Sequence, residues 1–366
     1  MSASSADPVA PRARVPLLVL GFIALAAGLA GGLVRAGVLS GGAPAAGIAW
    51  HGALMVSAFF GTVISLERAV ALGRLWGYAA PLACGLGGVL LIAGATAAGL
   101  WLMAAGAAAL VAASAAVWAR QPGFEVGVLL AATLCGLTGT GLVAAGGVPA
   151  AALPWWIAFF VLTIGGERLE LSRYVPRGPG AKALFALIAA ALVLAALAGH
   201  WAPEAGRRAL GAALVALALW LAVHDIARQT VRQRGLTRYI AHCLLAGYVW
   251  LAFGGAATLV TGAVQDAALH ALMLGFVFSM VFGHAPVILP AVLRVAVPYA
   301  PWLYLPLVLL HATLALRVAG TVLEAPALYA AGAAGNAVAL AAFILTTATL
   351  VLRGRPPRSA VHREAA

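Results

Sequence analysis

The sequence predicts an all-α fold: a polytopic transmembrane helix bundle of about twelve spans, with both termini cytoplasmic. Three observations lead there. The 366 residues are 64% hydrophobic and only 9% charged, with a mean hydropathy of +1.04, whereas soluble domains carry about 25% charged residues. Apolar runs long enough to cross a bilayer, about 20 residues each, recur between breaks that glycine and proline punctuate. The basic residues collect on one side when these runs are threaded alternately through a membrane. A water-soluble globule, a disordered chain and a nucleic-acid binder are excluded. The net charge of +12 is therefore an orientation signal, and the partner it implies is membrane lipid.

Taken in order, the first run, about residues 15–38, follows Arg12 and Arg14. A cleaved signal peptide would begin similarly, but this run is long enough to span and lacks a small-x-small exit, so it counts as helix one. Residues 1–14 are then a short cytoplasmic tail. Further runs lie at about 48–73, 77–98, 100–119, 125–146, 152–173, 181–200, 206–229, 238–263, 266–293, 299–319 and 325–352. With the N-terminus inside, the cytoplasmic side holds Arg12, Arg14, Arg68, Arg74, Arg120, Arg168, Arg173, Arg177, Lys182, Arg228, Arg232, Arg234, Arg238, Arg294, Arg353, Arg355, Arg358 and Arg363. The outer side receives Arg35, Arg207, Arg208 and Arg317, which is eighteen against four in favour of this orientation. Residues 15–352 thus form one bundle. Residues 353–366, with Pro356, Pro357 and four arginines, are a basic disordered tail near anionic lipid in which His362 is idle. Cys84, Cys135 and Cys243 are solitary and lie within spans, so there is no disulfide framework and no C-x-x-C-H haem attachment. Any haem is held non-covalently.

Ionisable side chains are expensive inside a bilayer and mark functional sites. Six of the eight histidines, His51, His224, His242, His270, His284 and His311, fall within predicted spans. Helices two and ten run from outside to inside, and His51 and His270 each lie about one turn from the outer boundary, with Met55 and Met273 one turn beyond. His284 follows His270 by fourteen residues, which returns it to nearly the same helix face roughly 21 Å deeper. His242 and His224 lie at a similar inner depth. The set resolves into an outer pair and an inner group of three. Two imidazoles facing each other across a bundle can ligate haem b, and imidazole with thioether also suits copper. His51, His270, Met55 and Met273 are therefore the candidate outer metal site, and His242, His284 and His224 the candidate inner haem ligands. His311, mid-span and without an obvious partner, reads as packing, and His200 at an outer helix end as interfacial.

Two local echoes accompany this pattern. The segment starting at His51, through Met55 to Phe59-Phe60, resembles the segment from His270 through Met273 to Phe278 after a one-residue shift. Glu67-Arg68 and Glu167-Arg168 place an acid and a base near the inner ends of helices two and six. Helical neighbours point about 100° apart, so these charges pair with other helices, or Arg68 and Arg168 anchor haem propionates.

Trp50-His51-x-x-x-Met55, Ile164-Gly165-Gly166-x-Arg168, His242 followed by Gly247-Tyr248-x-Trp250, and His270-Ala271-Leu272-x-x-Gly275 occur in the order and spacing of the NnrS family. The chain resembles that family over nearly its whole length, down to Leu316-Arg317. The resemblance implies a twelve-helix bacterial inner-membrane protein that carries haem and copper. It also implies a link to nitric oxide metabolism and nitrosative stress, with nitric oxide or redox proteins as partners. Ala53 and Leu54 stand where the family commonly has a second histidine and a glutamate. Glu167 and Leu169-Glu170-Leu171 depart from the family pattern after the glycine pair, and His284 in Phe282-Gly283-His284-Ala285-Pro286 is outside it, which marks a divergent branch. The His51-Gly52-x-x-Met55 phrase is also similar to a haem-binding helix of haem-copper oxidase catalytic subunits, although their adjacent histidine pair is missing. The pattern leans away from an enzyme and names no catalytic residue.

Two other classes stand beside this reading. A twelve-helix secondary transporter would show mid-span charges and broken helices, whereas Glu67, Glu125, Glu167, Glu170, Glu204, Asp225, Asp266 and Glu324 all lie near span ends. In a cofactor-free scaffold the histidines would only form hydrogen bonds.

Overall fold

The computed structural model describes residues 8–171, 178 and 180–354. The sequence-based assignments for Arg173, Arg177, Arg355, Arg358, Arg363 and His362, and for the outer parts of both tails, lie outside these residues. Twelve described helices are long and apolar enough to cross a membrane: α1 (Pro11–Arg35), α2 (His51–Leu72), α3 (Leu75–Ile92), α4 (Thr96–Arg120), α5 (Phe124–Ala144), α6 (Pro149–Leu171), α7 (Ala181–Ala198), α8 (Pro203–His224), α9 (Gly235–Thr261), α10 (Asp266–Leu293), α11 (Pro301–Val322) and α12 (Pro326–Arg353). This is the predicted twelve-helix bundle. Helices suit such a chain because each satisfies its own backbone polar groups where no water can. An even number of spans brings the chain back to the face from which it started, here the terminal face.

Most boundaries agree with the sequence reading to within a few residues. Two differ informatively. α1 begins at Pro11, so Arg12 and Arg14 belong to its first turn and not to a loose tail. Arg14 is buried and donates Nη1–H to Val292 O at 2.6 Å, while Nε and Nη2 reach Val9 O. The guanidinium therefore satisfies a carbonyl in the last turn of α10, where the helix leaves carbonyls unpaired. α8 ends at His224, and a separate turn, Ala227–Thr230, leads into α9.

The interior belongs to α2, α6 and α10, whose membrane windows are 61, 72 and 61% buried, against 33 to 50% for the other nine. Each is the second helix of four. α1–α4, α5–α8 and α9–α12 pack successively as three groups, with α4 against α5, α8 against α9 and α1 against α10. The three inner helices meet at aromatic rings. Phe60 lies 4.8 Å from Phe160 and 5.2 Å from Phe278, centroid to centroid, both edge-on. Close helix approach elsewhere depends on glycine. A Cβ on Gly211 of α8 would lie 2.6 Å from Gly255 O of α9 and closer still to Leu259 N. Gly211→Val is expected to cost about 1–3 kcal/mol of stability, read as a lowered Tm in detergent. An unchanged Tm would mean that these backbones are not in contact.

α2 and α10 share an irregularity that periodicity did not reveal. In α2, His51–Ala53 leads into a π-helical stretch, Leu54–Phe60, and in α10 Asp266–His270 leads into another, Ala271–Phe278. The sequence echo beginning at the two histidines therefore has a counterpart in backbone geometry. π segments are rare and favour functional sites. They also correct one expectation. A π turn closes i→i+5 hydrogen bonds and uses more residues than an α turn, so a regular helical count from His270 to His284 fails across Ala271–Phe278.

Candidate functional site

On the face opposite the termini, α1, α2, α6, α10, α11 and α12 enclose a cavity of about 490 Å³. All four residues of the outer set, His51, Met55, His270 and Met273, line it. α2 and α10 run in the same direction and each brings a histidine into its first turns, which is why residues so distant in sequence meet. Both imidazoles are held by their Nδ1 atoms. His51 donates Nδ1–H to Gly28 O of α1 at 2.7 Å, and His270 donates Nδ1–H to Asp266 O at 2.9 Å. Proton positions follow from these partners, because a carbonyl can only accept. Each Nε2 is then an unprotonated lone pair, with no hydrogen-bond partner among the described residues.

A second layer fixes His270. Asp266 Oδ1 lies 3.1 Å from its Nδ1. Arg317 of α11 grips the same carboxylate through Nε to Oδ2 at 3.2 Å and Nη2 to Oδ1 at 3.0 Å, and Nη2 also donates to Tyr329 Oη at 3.0 Å. His51 is fixed by close packing instead. A Cβ on Gly32 would lie 2.9 Å from its Cε1, so the ring rests against the bare backbone of α1. Phe60, Phe160 and Phe278, the rings at which the central helices meet, also line the cavity and close it toward the middle of the bundle. Arg35, Asp266, Arg317, Tyr329 and Asn336 supply its polar lining.

The inner residues are arranged differently. His284 donates Nδ1–H to Met280 O at 2.7 Å, and its buried Nε2 has no partner among the described residues. It lies within electrostatic reach of Arg168 and Asp225. Arg168 donates Nε–H to Asp225 Oδ2 at 2.7 Å and Nη2–H to Oδ1 at 3.0 Å, both side chains being almost fully buried. Its guanidinium therefore serves an ion pair with the residue that follows α8, as the helix-to-helix reading of the Glu-Arg echo expects. Arg68 sits among Glu67 and Glu167. His242 has Nδ1 against Arg238 O at 2.9 Å and Tyr304 Oη at 3.1 Å, and His224 packs its ring on Trp220 at 4.9 Å. The three inner histidines thus meet three different sets of neighbours. Asp225 escaped notice as a partner because only its position at a span end distinguished it.

The remaining described histidines, His200 and His311, are engaged. Trp250 Nε1 donates to His311 Nδ1 at 2.9 Å, and His311 Nε2 faces Ser279 Oγ at 3.4 Å, which ties α9, α10 and α11 together as the packing reading expects. His200 Nε2 accepts from Trp155 Nε1 at 3.1 Å. Among the described residues no group of three or more His, Cys, Asp or Glu side chains is placed to hold a metal ion. A family model described as "Domain of unknown function (DUF8744)" matches residues 14–352, from the first span to the last. No curated protein and no solved structure matches the chain.

Proposed function

The chain belongs to the DUF8744 family, and from that premise we propose that it is an integral membrane haem protein of nitric oxide handling, with a non-covalent haem b held between His51 and His270. One observation carries the reading: imidazoles from two central helices open onto one cavity with Nδ1 tied back and Nε2 left to bind. That is the state in which histidine serves as an axial ligand, since the hydrogen bond at one ring nitrogen orients the other and raises its basicity. The cavity of about 490 Å³ falls within the roughly 300–1,000 Å³ of small-molecule and cofactor sites. A haem bound there supplies one-electron and nitric-oxide-binding chemistry. Asp266 and Arg317 hold the His270 ring, the Phe60, Phe160 and Phe278 rings exclude water from below, and Arg35 and Arg317 offer positive charge to propionates. The resemblance to the NnrS family supplies the link to nitric oxide, and the excess of arginine on the terminal face supports a bacterial inner membrane with this cavity outermost.

Copper is the second reading, favoured by the thioethers of Met55 and Met273 on the same wall. An ion needs far less room than the cavity offers, so haem ranks first. The test is a reduced-minus-oxidised spectrum with metal analysis of protein purified in detergent from haem-replete cells. A Soret band with stoichiometric iron is expected, and copper without haem would select the second reading. A colourless preparation lacking both metals would overturn the proposal. Nitric oxide added to the reduced protein is expected to move the band, and an unmoved band would remove the nitric oxide part. Gly32→Val, which pushes on the His51 ring without replacing a ligand, is expected to weaken haem retention about tenfold or more, measured by haem loss to an apo-globin acceptor.

A further inference from the structure

We propose a second site on the face opposite the termini, between α6, α7, α8 and α9, that binds the phosphate of an anionic phospholipid headgroup. A cavity of about 250 Å³ lies there, separated from the first by Ala150 and Leu153, which line both. His200 and Arg207 are its only lining residues with polar side chains among the described residues. Both present donors. Arg207 is anchored by Nε–H to Gly262 O at 2.7 Å, which leaves both Nη groups without a partner among the described residues. His200 accepts the Trp155 Nε1–H at its Nε2, so the neutral ring carries its proton on Nδ1.

The surroundings add to the same sign. α8 begins at Pro203 on the cavity wall, and its N-terminal end contributes positive potential. The nearby carboxylate of Glu204 is occupied by Arg208, whose Nε and Nη2 both lie 3.0 Å from Oε1. Donors without an acceptor side chain select an acceptor-only ligand, and a phosphate offers only oxygens at neutral pH. The rest of the lining, including Leu153, Pro154, Ala196 and Val264, is apolar and suits glycerol and the start of an acyl chain. Trp201, 78% exposed at the same end, is placed as an interfacial anchor. A lipid headgroup therefore fits better than a free ion.

The test is native mass spectrometry of the full chain in detergent with added phosphatidylglycerol, phosphatidylcholine or inorganic phosphate. Phosphatidylglycerol is expected to bind the wild type with about tenfold preference over phosphatidylcholine. Arg207→Gln is expected to abolish that preference, and Glu204→Gln with Arg208→Gln, which removes the neighbouring ion pair together, to keep it. Competition of inorganic phosphate with the lipid supports the anion site and shows that the phosphate alone is recognised. Equal binding of the two lipids by the wild type, or an unchanged preference in Arg207→Gln, would overturn the proposal. If Arg207→Gln does not fold, His200→Gln makes the same comparison.

Discussion

Alanine at His51 or at His270 is expected to strip the proposed haem from the purified protein, with loss of the Soret band and of iron in each single variant. Either change leaves one imidazole facing an enlarged cavity, and a haem that only one residue could hold would be retained poorly. The lost residue is not a packing element for the bundle as a whole. His51 contacts α1 through one carbonyl and the bare Gly32 backbone, and His270 bonds within its own first turn and to Asp266. Both variants should therefore remain helical, with a Tm near that of the haem-free wild type. Imidazole in the buffer is expected to restore part of the band, because the Nε2 position is open to a small diffusible ligand. A Soret band of unchanged height and position in both variants would show that the pair does not ligate haem.

The second large effect concerns the inner half. Asp225→Ala is expected to destabilise the protein by about 3–5 kcal/mol, because it removes the carboxylate that pairs with Arg168 in a buried site. It also removes the acceptor for Ala227 N–H, which bonds Asp225 Oδ1 at 2.6 Å and holds the turn after α8. The double variant Arg168→Met with Asp225→Leu should recover most of that loss, since an apolar pair of similar volume avoids desolvating two charges. Thermal unfolding in detergent reads both. A single variant as stable as the wild type would mean that the pair is solvated, contrary to its burial. The haem band is not expected to change in either, which separates this cluster from the outer cavity.

The spans were legible because lipid imposes one rule on every residue that faces it, and a run of apolar side chains records that rule directly. The outer site was legible for a related reason. His51 and His270 are costly where they stand, and equal depth on two helices running the same way is readable from distance to the helix start. The inner site was not readable in the same way. His284 was placed by counting a uniform helical period from His270, and the π-helical Ala271–Phe278 breaks the count without any change in hydrophobicity. The partner of Arg168 was equally hidden, since Asp225 lies beyond a helix end and its pairing depends on how α6 and α8 approach. The Gly32 contact with His51 also depends on tertiary approach, and in sequence that glycine is one of 43.

The three successive groups of four have a consequence for biogenesis. α2 belongs to the first group and α10 to the last, so the ribosome delivers the two halves of the outer site at opposite ends of synthesis. A nascent chain holds His51 in the membrane long before its counterpart emerges. Loading of the proposed haem would then be a late event in assembly, and a chain arrested after its eighth span should insert, pack its first two groups and leave the membrane uncoloured.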